Sequence, residues 1–261
     1  MSTAPSVKKG RRTTALGVSR PSGRLSITAE NYLLSLFILM EDGVAPHISQ
    51  LAAYLRRLPE EEELGTTLAS VSGMVHRMAK EDLLTINKGK EIHLTPEGMR
   101  RGLYIVRRHR LAERLLVDLL QMPLERAEIE AHQLEHAISP RLLERVEEKL
   151  GNPDTCPFGR PIYREGEQRR ADPSGMIRLT ESTNGVEYTV LRIPDEDFNL
   201  LSFLVDNKIL PGQRVTVQDN APYRGVIDLT RNDVTISVAS WLRRASECCR
   251  SNPQRRLGLS P

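Results

Sequence analysis

Histidine and glutamate residues recur at helical spacing within residues 107–136, and this segment limits the fold more than any other. His109 and Glu113 are four residues apart, so both side chains project from one face of a first helix. A second helix carries a stripe at i, i+4, i+7 and i+8, which consists of Glu128, His132, Glu135 and His136. Met122 and Pro123 separate the two helices, so these can fold back and bring the stripes together.

Imidazole nitrogens and carboxylate oxygens on facing helices are typical ligands of divalent transition metals in helical proteins. Three of the six histidines of the chain converge here with three glutamates, which favours a metal site. The alternative is a solvated charged face on which neighbouring arginines pair with Glu113. Those arginines are Arg107, Arg108, Arg110 and Arg114.

Length and composition are those of an ordinary soluble protein with about two domains. The 261 residues are 39% hydrophobic and 27% charged, and no stretch approaches the ~18 apolar residues of a membrane-spanning helix. The N-terminus lacks the apolar run of a secretory signal. Three cysteines are too few for a disulfide framework, so a reducing cytoplasm is expected. A net charge of +3 means that any nucleic-acid binding depends on local basic patches.

Residues 26–97 have the pattern of a winged helix-turn-helix domain. Helices are predicted from Thr28 to Gly43, over about 49–57 and over about 68–81, and a hairpin with a basic tip follows. The third helix is slim enough to enter a major groove. The predicted DNA contacts are Thr67, Ser70, Ser72, Gly73 and Arg77 on that helix, with Lys88 and Lys90 on the wing. A protein-interaction module is the alternative for the same elements.

Two segments near this domain have unusual charge. Residues 1–25 are basic and contain no acidic residue, so they form either a disordered tail or an arm that contacts phosphates. The connector at 58–67 carries four successive glutamates beside the predicted recognition helix, where they should repel phosphate.

The remainder divides into a helical unit and a β unit. Residues 98–163 carry a helix that starts behind Thr95 and continues to Gln121, followed by two further helices, and such a unit favours self-association. Residues 164–175 form a polar linker. Residues 176–250 alternate as short strands around one helix, which predicts a small barrel of SH3 size. Residues 251–261 are predicted to be a disordered tail.

Taken together, these pieces resemble the diphtheria toxin repressor family of metal-dependent transcriptional regulators. The resemblance covers most of residues 26–250 and rests on RRHRLAERLL, LEHAIS, GNPDTCPFGRPI and the Pro211-Gly212 turn. It implies a mostly α fold with a β C-terminal domain: a winged helix-turn-helix, a helical metal-binding and dimerisation domain, and an SH3-like (FeoA-like) barrel. It also implies a homodimer that binds a palindromic double-stranded DNA operator, with a divalent metal as corepressor for metal-homeostasis genes.

The resemblance implies roles for individual residues. His109 with Glu113, and Glu135 with His136, match the ligand pairs of the family. Four further positions complete the implied set. His132 stands where iron-responsive members have cysteine and manganese-responsive members have an acidic residue, and Glu128 stands where iron-responsive members have histidine. Asn31 replaces a methionine or aspartate, and Asp197 lies near the position at which the barrel lends a ligand.

Departures from the family pattern affect the identity of the metal. Asn31 offers a neutral amide oxygen, and Leu34 stands where manganese-type members place a glutamate. His132 makes the centre richer in nitrogen, and imidazole suits iron and zinc better than the hard manganese ion. The sequence therefore favours Fe(II), then Mn(II), with Zn(II) third.

Two other functions remain as alternatives. His132, Glu135 and His136 match H-x-x-E-H, a zinc-hydrolase motif in which both histidines bind zinc and the glutamate activates water. The chain could also be a module that binds DNA or protein without any metal switch. Affinity for DNA that is unchanged on chelation would favour that second alternative.

Overall fold

The computed structural model describes residues 23, 25–58, 64–164, 166–169, 175–195, 198–239 and 248–251. Most of the predicted basic arm, the glutamate run of the connector and Asp197 lie outside the described residues. The predicted tail beyond Ser251 also lies outside them.

The described residues form seven α-helices and eight strands. The helices are α1 (Ile27–Glu41), α2 (Ile48–Leu55), α3 (Leu68–Lys80), α4 (Pro96–Arg114), α5 (Leu124–Ala137), α6 (Pro140–Lys149) and α7 (Phe198–Asp206). The strands are β1 (Leu84–Ile86), β2 (Ile92–Leu94), β3 (Met176–Arg178), β4 (Glu187–Arg192), β5 (Arg214–Ala221), β6 (Val226–Arg231), β7 (Val234–Ala239) and β8 (Cys248–Ser251). The prediction of a mostly α fold with a β C-terminal domain is confirmed.

Helix α1 is the central element of the N-terminal part. Its N-terminal cap is Ser26 rather than Thr28 as predicted, because the Ser26 hydroxyl accepts a hydrogen bond from the Ala29 N–H at 3.2 Å. Its apolar residues are buried on almost every side, among them Leu33 and Phe37. Helices α2 and α3 and the β1–β2 hairpin complete the predicted three helices and wing.

Helix α4 begins just after the β1–β2 hairpin, and its first turn packs very closely against the backbone of Leu83. Thr95 caps it by accepting from the Gly98 N–H at 3.0 Å, and Pro96 occupies the first turn. A Cβ on Gly98 would lie 1.8 Å from the Leu83 carbonyl oxygen, so only glycine lets the helix start here. This contact fixes the direction in which α4 runs from the β1–β2 hairpin into the helical unit.

The prediction that this helix continues to Gln121 is wrong. The α-helix ends at Arg114, and Leu115–Leu119 winds as a π-helical turn. The Leu120 N–H donates to the Leu115 carbonyl at 3.1 Å, which is the i→i+5 pattern of such a turn. Gln121 then adopts φ 55°, and the chain turns back into α5.

The C-terminal strands form one antiparallel sheet in the order β3-β8-β4-β5-β6-β7. Register shifts between Val190 and Arg192 and between Val217 and Asp219 interrupt the ladders, as β-bulges do at the bends of small barrels. Strand β8 corrects the prediction of a disordered tail over 251–261 at its first residue, because Ser251 belongs to the strand. Residues 248–251 pair with both β3 and β4, so they close the sheet between these strands.

A buried arginine joins the sheet domain to the helical part. Arg160 is 4% exposed, and its Nε donates to Asp195 Oδ2 at 3.0 Å, just after β4. Its Nη1 donates to Glu41 Oε2 at 3.1 Å and to Asp42 Oδ1 at 2.9 Å, at the end of α1. One guanidinium therefore ties the sheet domain directly to the end of α1.

Glu41 is the most connected carboxylate of this joint. It also pairs with Arg110 of α4 and accepts a hydrogen bond from the Tyr163 hydroxyl at 3.0 Å. Burial alone would raise the pKa of Glu41, but the charges of Arg110 and Arg160 outweigh burial and lower this pKa to about 2. Glu41 is therefore ionised throughout the neutral range.

The alternative in which the arginines of α4 pair with Glu113 is wrong. Each arginine reaches a different carboxylate, on α1, on α6 or on the turn that follows α4, because α4 is surrounded by the chain on most sides. The observed pairs are Arg107 with Glu147, Arg108 with Glu30, Arg110 with Glu41, and Arg114 with Asp118. The Glu113 side chain lies instead beside His109, with its Oε1 3.0 Å from His109 Nε2.

Among the described helices, none combines the length and the apolar character that crossing a membrane requires.

We expect Glu41→Gln to lower the free energy of unfolding by about 3 kcal/mol, because it leaves buried arginine charge without its partner. Urea unfolding at neutral pH measures the loss. Glu148→Gln is the matched control, since Glu148 pairs only with Arg145 at an exposed position. The pKa of Glu41 is depressed from 4.5, so the difference from the wild type should shrink as pH falls below 4.5 toward about 2. A difference that grows on acidification would contradict this role.

Candidate metal centre and recognition helix

The two predicted stripes meet between α4 and α5 and form a buried cluster. Small residues at the contact, Ala127 and Ala131, are fully buried and let the helices approach closely. As a result the rings of His109 and His132 lie with their centroids 4.7 Å apart. The ligand atoms of His109, His132 and Glu135 lie within 4.8 Å of one another. This is the spacing from which one cation can be shared by three side chains.

Carboxylates surround the two imidazoles. His109 Nε2 lies 3.0 Å from Glu113 Oε1, and His109 Nδ1 lies 2.7 Å from Glu135 Oε2. His132 Nε2 lies 3.0 Å from Glu128 Oε1, a contact that does not have the geometry of a hydrogen bond. Every residue predicted from the helical stripes, with the exception of His136, therefore belongs to this cluster.

His136 joins a second group that reaches α1. Its Nδ1 lies 2.9 Å from Glu30 Oε2, and its Nε2 lies 2.9 Å from Asn31 Oδ1. Glu135 links the two groups, because its Oε1 lies 3.3 Å from His136 Nε2 while its Oε2 contacts His109. A continuous chain of polar contacts thus runs from α4 through α5 to the first helix.

The cluster has strong internal electrostatics. Burial alone would lower the pKa of His109, but the carboxylates of Glu113 and Glu135 outweigh it and raise this pKa well above 6.5. The pKa of His132 is also raised, because Glu128 and Glu135 outweigh its burial. Burial would raise the pKa of Glu135, yet the facing histidines lower it. Protons on the imidazoles therefore balance the buried carboxylates.

Several buried polar atoms at this centre have no hydrogen-bond partner among the described residues, and this is the test of whether a metal fits. They are Glu113 Oε2, Glu135 Oε1 and both ring nitrogens of His132. Buried polar atoms are normally satisfied, because leaving one unpaired costs about 1–3 kcal/mol. The ligand atoms of His109, His132 and Glu135 converge in a buried place, and unpaired nitrogen and oxygen atoms there suit a divalent cation, so the residues present fit a metal.

Sequence reasoning missed two residues of this neighbourhood. Glu30 precedes the predicted Asn31 on α1 and pairs with both His136 and Arg108. Its position in the first turn beside Asn31 was the only signal in the sequence. Cys156 is fully buried next to Glu113, where burial and then the neighbouring carboxylate raise the pKa of its thiol. Its place follows from a loop that Arg114 holds against α4, with the Cys156 carbonyl accepting at 3.2 Å.

Two positions that the resemblance singled out have different outcomes. Leu34 is buried in the apolar core at 1% exposure, so α1 presents no carboxylate at that position. Asp197, the predicted ligand from the barrel, lies outside the described residues.

The geometry does not favour the H-x-x-E-H alternative. That motif needs His132 and His136 on one zinc with the glutamate free to act on water. Here His136 turns to Glu30 and Asn31, and the residue that clusters with His132 is Glu135. Glu135 stands in the position of a ligand and not of a general base.

The predicted DNA contacts lie on the exposed side of α3 and at the wing. Val71, Met74, Val75 and Met78 face the core, so the opposite side of the helix is turned to solvent. Thr67 caps α3, accepting from the Ser70 N–H at 3.2 Å, and its hydroxyl lies 2.9 Å from the Ser70 hydroxyl. Gly73 and Arg77 are exposed and Ser72 is half-buried on the helix, while Lys88 and Lys90 are exposed at the hairpin tip. Contact of these residues with DNA stays a prediction.

Known proteins with similar sequences and structures are metal-dependent repressors. The sequence model described as "Iron dependent repressor, metal binding and dimerisation domain" matches residues 95–164, and "FeoA domain" matches residues 177–240. The iron-dependent repressor IdeR of Mycobacterium tuberculosis H37Rv is 34% identical over 201 residues, covering 73% of this chain and 84% of the relative. The diphtheria toxin repressor of Corynebacterium glutamicum is 34% identical over 226 residues, covering 84% and 94%. A solved "Manganese-dependent transcriptional repressor complex with manganese" is 28% identical with a TM-score of 0.70, covering 85% and 98%.

We expect Glu135→Gln to weaken Mn(II) or Co(II) binding by at least about tenfold, the loss that removing even an outer partner of a metal ligand causes. Calorimetric titration of the metal-free protein measures the affinity. Glu130→Gln is the matched control, because Glu130 lies exposed on the same helix and outside the cluster. Equal affinities for the two variants would contradict the assignment of Glu135.

Metal binding should release protons at neutral pH, because the raised pKa of His109 keeps its imidazole protonated in the metal-free protein. Apparent metal affinity should consequently fall as the pH falls. Titrations in buffers with different ionisation enthalpies count the protons, and His109→Gln should release about one proton fewer. Binding without proton release at pH 7 would show that His109 does not compete with the metal.

Proposed function

The chain belongs to the diphtheria toxin repressor family of metal-dependent transcriptional regulators, and from this membership we infer that it is a DNA-binding repressor controlled by a divalent metal. The genes it controls are proposed to be those of metal homeostasis. The buried His109–His132–Glu135 cluster, connected through His136 to α1, is the observation that carries this proposal.

The proposed metal ligands come from three helices. α4 contributes His109 and Glu113, α5 contributes its stripe, and α1 contributes Asn31. The stripe consists of Glu128, His132, Glu135 and His136. A bound cation would supply positive charge to oxygen and nitrogen atoms that are otherwise buried without partners.

The protein part of the switch is the contact between α5 and α1. His136 holds Asn31 and Glu30 at 2.9 Å, and α1 packs against α2, which in turn packs against α3. Tightening the α5 cluster would restrict the position of α1, and thereby the position of the recognition helix. If metal binding favoured one position of residues 26–97 over another by about 3 kcal/mol, the affinity for DNA would change roughly 150-fold.

The donor set supports Fe(II) as the preferred ion, then Mn(II), with Zn(II) third. Two buried imidazoles face the same space, and imidazole nitrogen suits iron better than manganese. Buried Leu34 adds no carboxylate that would shift the balance toward manganese.

We propose that the chain works as a homodimer on a palindromic operator. Residues 26–97 would bind DNA, residues 98–163 would bind metal and dimerise, and residues 176–250 would form the SH3-like domain. Leu120 on the π-helical turn and Leu142 on α6 are exposed apolar residues of the middle unit, and burial against a second copy would remove them from water.

Selection of sites from sheared genomic DNA tests the proposal, with anaerobic Fe(II), with Mn(II), with Zn(II) and with chelator. We expect a few two-fold symmetric sites to be enriched only when metal is present. The amount of DNA recovered with each ion should rank the metals. Glu135→Gln should lose this enrichment under metal concentrations at which Glu130→Gln retains it.

Other outcomes would separate the alternatives. Equal enrichment under chelation would leave a DNA-binding protein without a metal switch. The absence of enrichment in every condition would refute the recognition helix and wing as a DNA-binding surface.

A further inference from the structure

Side chains on the exposed side of α3 are small near the start of the helix and larger on the following turns. Ala69 and Gly73 occupy one line of this face, and His76, Arg77 and Lys80 follow on the next turns, all of them exposed. The small residues lie toward the start of the helix, the end that winged helix proteins direct at base edges. His76 is the first exposed side chain along this face that is longer than a serine and carries a hydrogen-bonding group, and the half-buried Ser72 precedes it with its Oγ 3.4 Å from His76 Nδ1.

The small residues would let the helix approach the floor of a groove. A Cβ placed on Gly73 would have no heavy atom within 4 Å, so the space outside this position is open. With only a methyl group at position 69 and none at position 73, the backbone of α3 can lie close to the bases. The imidazole of His76, one turn later, is then long enough to span the distance from the helix to a base edge. A longer side chain is not needed there.

The hydroxyl groups at the start of α3 are already used within the protein. Ser70 Oγ donates to the Thr67 carbonyl at 2.9 Å, and Thr67 Oγ1 accepts from the Ser70 N–H. Both hydroxyls stabilise the helix terminus, which makes them weaker candidates for base recognition than the sequence suggests.

The orientation of the His76 ring is fixed by its own helix. Its Nδ1 lies 2.7 Å from the Ser72 carbonyl oxygen. A carbonyl oxygen can only accept, so Nδ1 carries the proton in this contact. In the neutral ring Nε2 is consequently an acceptor.

We propose that His76 determines operator specificity by accepting, at Nε2, a hydrogen bond from the exocyclic amine of an adenine or cytosine in the major groove. Adenine N6 and cytosine N4 are the amine donors that the major groove displays. A single acceptor held in one place would therefore distinguish these two bases from guanine and thymine at one position on one strand. This inference rests on the proposed function of α3 as the recognition helix. It adds a residue that the sequence prediction of DNA contacts did not include.

The first experiment selects binding sites from a randomised duplex library with the metal-loaded wild-type protein, His76→Ala and Lys80→Ala. We expect His76→Ala to lose base preference at one position in each half-site and to keep it elsewhere. Lys80→Ala, the matched control on the same exposed face, should keep the preference at every position. His76 is exposed, so unchanged thermal unfolding of His76→Ala checks that the variant is folded.

The second experiment removes the amine from the DNA at the position so identified. 2-Aminopurine replaces adenine, or 2-pyrimidinone replaces cytosine, which deletes the major-groove amine and keeps a similar base shape. The wild-type protein should bind the modified duplex roughly fivefold more weakly, the factor that corresponds to one hydrogen bond. His76→Ala should bind the modified and unmodified duplexes equally.

Three outcomes would overturn the proposal. Uniformly weaker binding of His76→Ala to all sequences would make His76 a phosphate contact. Identical selected sites for wild type and His76→Ala would remove His76 from the interface while leaving the regulator intact. Failure of the metal-loaded wild type to select any sequence would refute the proposed function itself, and this inference with it.

Discussion

The arrangement of the helices depends on the contacts that the Glu135 carboxylate makes with neighbouring histidines. This carboxylate is fully buried, and its two oxygens contact His109 on α4 and His136 on α5. A buried carboxylate is tolerated only where opposite charge or hydrogen bonds offset the loss of hydration. The facing imidazoles fulfil this condition, so the positions of α4 and α5 and the contact with α1 are mutually constrained. A divalent cation in the same place would act on a site that is already assembled.

A second buried ionic network holds the other end of α1. Glu41 and Asp42 meet Arg110 from α4 and Arg160 from the loop before the barrel, and Arg160 reaches Asp195 beyond β4. Gly159 makes this approach feasible, because a Cβ there would lie 1.9 Å from the Leu191 carbonyl oxygen. The first helix is thus held near its start by the contacts of Glu30 and Asn31 with His136, and at its end by the joint with the sheet domain. Changes at either place would act first on α2, which packs against both α1 and α3.

Periodicity predicted those features that depend on local spacing. The stripes of histidine and glutamate, the cap at Thr95, and the alternating strands can be recognised because each is defined by neighbours within a few residues. Features that depend on residues far apart in the sequence were not predicted by periodicity. Glu30 looked like an ordinary acidic residue of a first turn, and its role appears only where His136, more than a hundred positions away, meets it at 2.9 Å. The π-helical turn at Leu115–Leu119 has no signature of its own in the sequence.

The sequence by itself determined the types of ligand atom, the order of the elements and the membership of a family, because these are carried by residue identity and spacing. Only the tertiary structure decided how the charges are paired. Four arginines on α4 offered the same local chemistry to Glu113, and each found a different partner because packing directed two of them toward α1, one toward α6 and one toward the turn after α4. Glu113 was left facing His109. Coulomb attraction has no preference among carboxylates at equal distance, so the fold that sets those distances makes the choice.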